Sequence, residues 1–194
     1  MIKSYLLLIV FVSFTGFAQN KFGVFSGITY SYLAEGFSKK VNTDDAIGLQ
    51  IGIVYQTELT KKISFRPKLV YSQQGDRKAS KGYSPYTLDI SQIDYKLNYL
   101  NAPLDFKFWN KIYVIAGPQI GYLLSTEKGD INFGEPKSKF DLGFNLGGGF
   151  TVNRLFFELG FYHGVTTVLE FPNRRYIADI KNGVGKFTVG YSFN

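Results

Sequence analysis

The 194-residue chain has no cysteine, and only one histidine, one tryptophan and one methionine. Without cysteine there is no disulfide, no thiolate metal ligand and no lipid anchor carried on a thiol. A single histidine, His163, leaves only carboxylates for a metal. Asp44-Asp45 is an isolated pair without the spaced oxygens of a calcium loop. Gly147-Gly148-Gly149 opens no helix, so it is not a phosphate cradle. The composition therefore calls for no metal and no cofactor. Charge is scarce as well: 19% of residues are charged, 22 basic against 15 acidic. The excess is spread along the chain, which suits anionic lipid headgroups at least as well as nucleic acid. After the first segment no apolar run reaches the roughly 20 residues a membrane-spanning helix needs.

The first segment, MIKSYLLLIVFVSFTGFAQ, has the parts of an export signal. Lys3 supplies a positive start, Tyr5 to Phe14 the apolar stretch and Gly16-Phe17-Ala18 a small-x-small cleavage site. Cleavage is expected before Gln19, leaving 19–194 as the mature domain. Export argues further against a nucleic-acid partner.

Aromatic residues and glycine are plentiful: 19 Phe, 14 Tyr and 21 Gly. They alternate. In FDLGFNLGGGFTVNRLFFELGFYH (140–163), Phe140, Leu142, Phe144, Leu146 and Phe150 hold one parity while Asp141, Gly143, Asn145, Gly147 and Gly149 hold the other. Period-2 segments of this kind recur over 21–33, 46–58, 63–74, 92–108, 112–125, 139–152, 155–167 and 184–194, and each predicts a strand. The connections 59–62, 109–111 and 153–154 are tight, whereas 34–45, 75–91, 126–138 and 168–183 are long and polar. Eight strands with short turns at one end and long loops at the other describe an antiparallel up-and-down barrel. Both termini then lie at the short-turn end. In the fourth strand Tyr95, Leu97 and Tyr99 have the opposite parity to Leu104, Phe106 and Phe108, so a bulge is expected near 100–102 to keep both sets on one face. Pro103 would be eased by that bulge; Pro118 is not.

Alternation alone does not say which face is wet. A soluble barrel would carry many charged residues on its polar stripe. Here that stripe is rich in glycine (Gly23, Gly27, Gly48, Gly52, Gly143, Gly147, Gly149, Gly160, Gly190), which suits a cramped lumen rather than a solvated surface. The apolar stripe has Phe, Leu, Ile and Val in mid-strand, with Tyr30, Tyr32, Tyr55, Tyr71, Tyr122 and Tyr191 towards strand ends. That is the distribution of a lipid-facing band with interfacial girdles. The expectation is an all-β, eight-stranded transmembrane barrel in an outer membrane.

Three segments carry a family resemblance. Tyr99-Leu100-Asn101-Ala102-Pro103-Leu104-Asp105-Phe106-Lys107, Ala116-Gly117-Pro118 with Gly121-Tyr122-Leu123-Leu124, and Glu158-Leu159-Gly160-Phe161-Tyr162-His163-Gly164-Val165 resemble motifs of the PorT-like outer-membrane β-barrel family. Asn101 stands where the family usually has an acid, and Gly160 where it usually has arginine. The resemblance implies the barrel fold and an outer-membrane location, together with a link to a secretion apparatus.

On the polar stripe Arg66, Lys68, Asp94, Lys96, Asp105, Lys107, Asp141, Asn145, Glu158 and Tyr162, with Gln50, Glu58 and Lys186, are expected to form a lumen network. A narrow lumen must pair its charges, since an unpaired buried ion costs several kcal/mol. In the outer loops, Arg77, Lys78, Lys81, Tyr83 and Tyr86, then Arg174, Arg175 and Tyr176, mix cations with rings, a combination suited to anionic glycolipid headgroups or a protein partner. The functional expectation is a non-enzymatic, filled barrel, structural or adhesive or accessory to an envelope or secretion assembly. Its partners would be outer-membrane lipid and an envelope protein, and it would not need to oligomerise. Two alternatives stay open: a lipid-modifying enzyme using His163 near the loop end of the seventh strand, and a narrow channel.

Overall fold

The computed structural model describes residues 20–35, 39–40, 44–77, 94–129, 136–170 and 179–193. Among them, eight long strands follow one another: β1 (Lys21–Glu35), β2 (Asp44–Thr60), β3 (Ile63–Arg77), β4 (Tyr95–Phe108), β5 (Ile112–Lys128), β6 (Phe140–Val152), β7 (Leu155–Gly164) and β8 (Asp179–Ser192). Each pairs antiparallel with the next, and β8 returns to β1 from Gly23↔Ser192 to Glu35↔Ile180. The sheet is closed. Two-residue strands, Lys39–Lys40 and Leu169–Glu170, extend β1 and β8 at the long-loop end. The termini meet at the short-turn end, where the Phe193 amide donates to the Phe22 carbonyl at 2.8 Å.

The short turns use left-handed backbone. Asn153 lies at φ 54 and Trp109 at φ 71, a conformation that Asn tolerates and Trp rarely adopts. Trp109 is held by its amide donating to the Lys62 carbonyl of the neighbouring turn at 2.7 Å.

The apolar stripe faces outwards all round. Ile112 is 80% exposed, Ile47 71% and Leu159 67%. Continuous apolar exposure of this kind is untenable in water and is what a bilayer covers. Tyr30, Tyr55, Tyr71, Tyr122 and Tyr191 also face outwards.

The fourth strand departs from expectation. No bulge interrupts it near 100–102. Apart from Asn98, which is also buried, alternation runs through β4, so Tyr95, Leu97, Tyr99, Asn101, Pro103, Asp105 and Lys107 all face inwards while Leu100 and Phe106 face out. Along β4 the inward face is polar towards the inner end and apolar towards the mouth, which is why the parity of apolar residues switches without a slip of the chain. The extra residue lies in β5: Asn98 pairs with Ser125 and Tyr99 with Leu123, leaving Leu124 unmatched. The prolines sit beside interruptions instead. Lys68 and Leu69 have no ladder partners opposite Ala102 and Pro103, nor have Leu104 and Asp105 opposite Gly117 and Pro118. A residue without an N–H removes a ladder bond there.

Candidate functional site: the lumen and its outer mouth

Inward glycines make room for the rings that fill the barrel. A Cβ at Gly190 would lie 2.1 Å from the Phe156 ring, at Gly52 2.6 Å from Phe25, and at Gly143 2.6 Å from Tyr162. Phe25, Val54, Val70 and Phe156 form one buried apolar cluster at this inner end.

Four strands then contribute a charge cluster. Glu158 of β7 is paired with the Arg66 guanidinium of β3, accepts from Lys68 Nζ at 2.9 Å and from the Tyr113 hydroxyl of β5 at 2.9 Å. Lys68 also reaches Asp105 of β4 at 3.1 Å. Arg66, Asp105 and Glu158 are each under 5% exposed. Arg66 lies over the Phe156 ring, 4.5 Å from its centroid, and Lys107 Nζ over Tyr113 at 4.0 Å. Ring faces take up cations for which the two carboxylates do not suffice.

Above this lies a second layer. Lys186 donates to Gln119 Oε1 and Asn145 Oδ1, both at 2.9 Å, and sits 5.2 Å from the Tyr162 centroid. Gln50 Nε2 donates to Thr188 Oγ1 at 2.8 Å. Asn182 Nδ2 donates to Asp141 Oδ2 at 2.9 Å and to the Tyr99 hydroxyl at 3.5 Å. A void of about 30 Å³ beside Lys68, Asp105, Glu158 and Lys186 is room for one or two waters at most. The mouth above is closed by an apolar cluster of Leu33, Tyr95, Leu97, Tyr99, Leu123, Val168 and Ile180. Val168 reaches it from the segment after β7 and is tied in by its amide donating to the Ile180 carbonyl at 2.7 Å.

Of the residues expected in the lumen, Arg66, Lys68, Asp105, Lys107, Asp141, Asn145, Glu158 and Tyr162 lie inside the barrel. Lys96 does not. It points outwards on β4, its side chain 49% exposed, and pairs with Glu127 at 3.1 Å. Asp94 precedes β4 at the partly exposed rim. The two fall on the same parity as Phe106, and the expected bulge would have turned them inwards; without it they stay outside. Gln119, Asn182, Tyr99 and Tyr113 were not among the expected members. Gln119 and Tyr113 stand on the inward parity of β5, and that was the available signal. Arg77 is exposed at the end of β3, whereas Lys78, Lys81, Tyr83, Tyr86, Arg174, Arg175 and Tyr176 lie outside the described residues. His163 has the outward parity of β7 but is only 9% exposed, stacked against Phe161 with ring centroids 6.4 Å apart.

A family model for the outer membrane protein beta-barrel domain matches residues 17–170. Among solved structures the chain is similar to Neisserial surface protein A, with a TM-score of 0.54 at 13% identity, covering 89% of this chain and 97% of that one. It is also similar to Ail, the attachment invasion locus protein of Yersinia pestis, in complex with a heparin analogue (TM-score 0.49, 15% identity, 90% and 99% covered). A third is the outer membrane protein AlkL in lipid bilayers (0.49, 12%, 93% and 93%). At such identities the likeness is one of fold. No curated protein matches.

Proposed function

Since the chain belongs to the outer membrane protein beta-barrel domain family, we propose that it is a non-enzymatic integral barrel with a filled lumen, structural or adhesive or accessory to an envelope or secretion assembly. One observation supports this reading: among the described residues, polar layers around Glu158 and Lys186 and an apolar cluster around Tyr95 and Val168 occupy the bore. With the bore taken up, work at the cell surface falls to the long outer connections, which the rigid barrel presents together. His163 packs against Phe161 on the outward parity of β7, apart from the inward charge cluster.

The direct test is solute flux. Liposomes containing the purified barrel should swell no faster than empty ones in small sugars; swelling above background would replace this reading with a channel. Replacing His163 with alanine should leave the envelope's lipid profile unchanged.

We infer that the barrel is of the PorT-like kind, supported by three motif segments that fall on β4, β5 and β7, the first two of which are ladder neighbours. A photo-crosslinker placed at Tyr83 or Arg175 in intact envelopes should capture a protein; capture of lipid alone would remove the accessory role. We infer also that residues 1–18 are cut off during export, so that the mature protein from envelopes should have Gln19 as its first residue by mass spectrometry.

A further inference from the structure

The wall is not uniformly sealed. Between β2 and β3 the partners run from Asp44↔Arg77 to Asp45↔Asp76 and resume only at Gln50↔Ser72. The intervening backbone is held partly by side chains: Thr29 Oγ1 donates to the Gln73 carbonyl at 2.6 Å, and the Leu49 amide donates to Gln73 Oε1 at 3.4 Å. Gly75 takes up the irregularity at φ 126. The parted seam forms a cleft of about 280 Å³ lined by Ser31, Gln73, Gln74, Arg77, Asp94 and Lys96, among others. Gln74, on the inward parity of β3 where the seam parts, is 3% exposed; its Nε2 donates to Ser72 Oγ, and its Oε1 is buried with no donor among the described residues.

Directly inward along the same seam the surface turns apolar. A groove of about 650 Å³ crosses the lipid face past Val24, Ser26, Ile51, Ile53, Leu69 and Tyr71. Ser26 makes the dent, being a small outward residue in a row where its neighbours Val24 and Ile28 are bulky. Groove and cleft adjoin: Tyr71 lines the first and Gln73, two residues further along β3, lines the second. Tyr71 belongs to the tyrosine girdle, so the cleft lies at headgroup level and the groove in hydrocarbon.

We propose that this seam binds one glycolipid, its sugar headgroup in the β2–β3 cleft and an acyl chain in the groove. An occupant of both must straddle the interface, which a free sugar and a hydrocarbon do not. Lys96 is paired with Glu127, Asp76 accepts from the Leu33 and Arg77 amides, and Arg77 stands beside Asp94 in the lining, so nothing there selects a strongly anionic headgroup. Amides, a hydroxyl and carboxylates together match groups that both donate and accept, as sugar hydroxyls do. The buried Gln74 Oε1 needs a donor, which a hydroxyl supplies and phosphocholine lacks. The inference rests on the chain being an outer-membrane barrel; it does not depend on what the loops bind or on the lumen being closed.

The test uses the purified barrel in phosphatidylcholine nanodiscs containing a minor fraction of monoglucosyl diacylglycerol, with retained lipid counted by native mass spectrometry. One glucolipid should stay bound in preference to phosphatidylcholine and phosphatidylethanolamine with the same chains. Gln74→Leu at the head end should lower retention about tenfold, the scale of one lost hydrogen bond to a buried group, and Ser26→Trp, whose ring fills the groove, should lower it at least as much. Ser26 faces lipid, so its variant tests the site even where Gln74→Leu fails to reach the folded position on an unheated gel. Free methyl glucoside should not displace the lipid. Equal retention of the three lipids, preference for phosphatidylethanolamine, unchanged retention in Ser26→Trp, or displacement by methyl glucoside would each overturn the proposal. Liposome swelling and crosslinking read the lumen and loops separately, so those outcomes do not confuse this one.

Discussion

Glu158 is the residue on which the lumen's charge arrangement turns. It faces Arg66 and Lys68 together and accepts a third hydrogen bond from Tyr113. Replace it with leucine and the inner layer keeps Arg66, Lys68 and Lys107 against Asp105 alone. Asp105 still compensates Lys68 at 3.1 Å. Arg66, 3% exposed and without its paired carboxylate, must then share its cross-strand neighbour Asp105 with Lys68 and otherwise has ring faces beside it. Removing one partner of a buried pair costs about 3–5 kcal/mol, because the surviving charge remains desolvated. Glu158→Gln keeps an acceptor for Tyr113 and Lys68 and should cost less, about 1.5–3 kcal/mol.

The measurement is reversible urea unfolding of the barrel in lipid vesicles. Mobility on unheated gels and the fluorescence of Trp109, the only tryptophan, which stands half exposed at the inner rim, report the transition. Two controls bracket the result. Lys96 and Glu127 form an exposed pair, with side chains 49% and 62% accessible, so Glu127→Ala should cost at most about 1 kcal/mol. The double variant Glu158→Leu, Arg66→Met removes both charges and should recover to within about 1 kcal/mol of the parent, since apolar residues of similar volume replace a buried pair without penalty. A cost below about 1 kcal/mol for Glu158→Leu, or no recovery in the double variant, would refute the account of a lumen held by compensated charge.

Other parts of the barrel make separate predictions. Leu159→Arg, on the lipid face in the middle of β7, should destabilise the protein by about 2–4 kcal/mol in the same assay if it lies near the bilayer midplane, and the variant should lose nothing comparable when an inward position such as Thr188 is changed to Ser. Gly190→Ala puts a methyl 2.1 Å from the Phe156 ring and should cost about 1–3 kcal/mol by overpacking, whereas a Cβ at Gly160 meets nothing nearer than 3.7 Å, so Gly160→Ala should be neutral or stabilising by about 0.5 kcal/mol on unfolding. Asn153→Val should weaken the β6–β7 hairpin by about 1 kcal/mol or more because φ 54 excludes a β-branched residue, while Asn153→Gly should be nearly neutral; refolding yield and urea midpoint both report this.

How far the sequence could be read depended on whether a feature is written within one strand or between strands. Alternation, turn lengths and the glycine stripe are local, so eight strands, their order, the closed barrel and its lipid-facing side all follow from them. The positions of Arg66 and Glu158 inside a lumen are equally local, because parity alone assigns them. Their meeting is not, since it depends on registers accumulated through four intervening ladders across 92 residues of chain. The fourth strand shows the opposite failure. A rule that apolar means outside forced a bulge into 100–102 and drew Lys96 inwards, whereas a lumen closed at its mouth by Leu97, Tyr99 and their neighbours needs apolar residues within. What parity cannot encode is how the environment changes along the barrel axis: inside this barrel an inner apolar cluster and ion pairs give way to amides and then to rings at the mouth. A reading that allowed the inward stripe to change character along its length would have kept β4 straight, left Lys96 at the surface beside Glu127, and sought the extra residue on β5 instead.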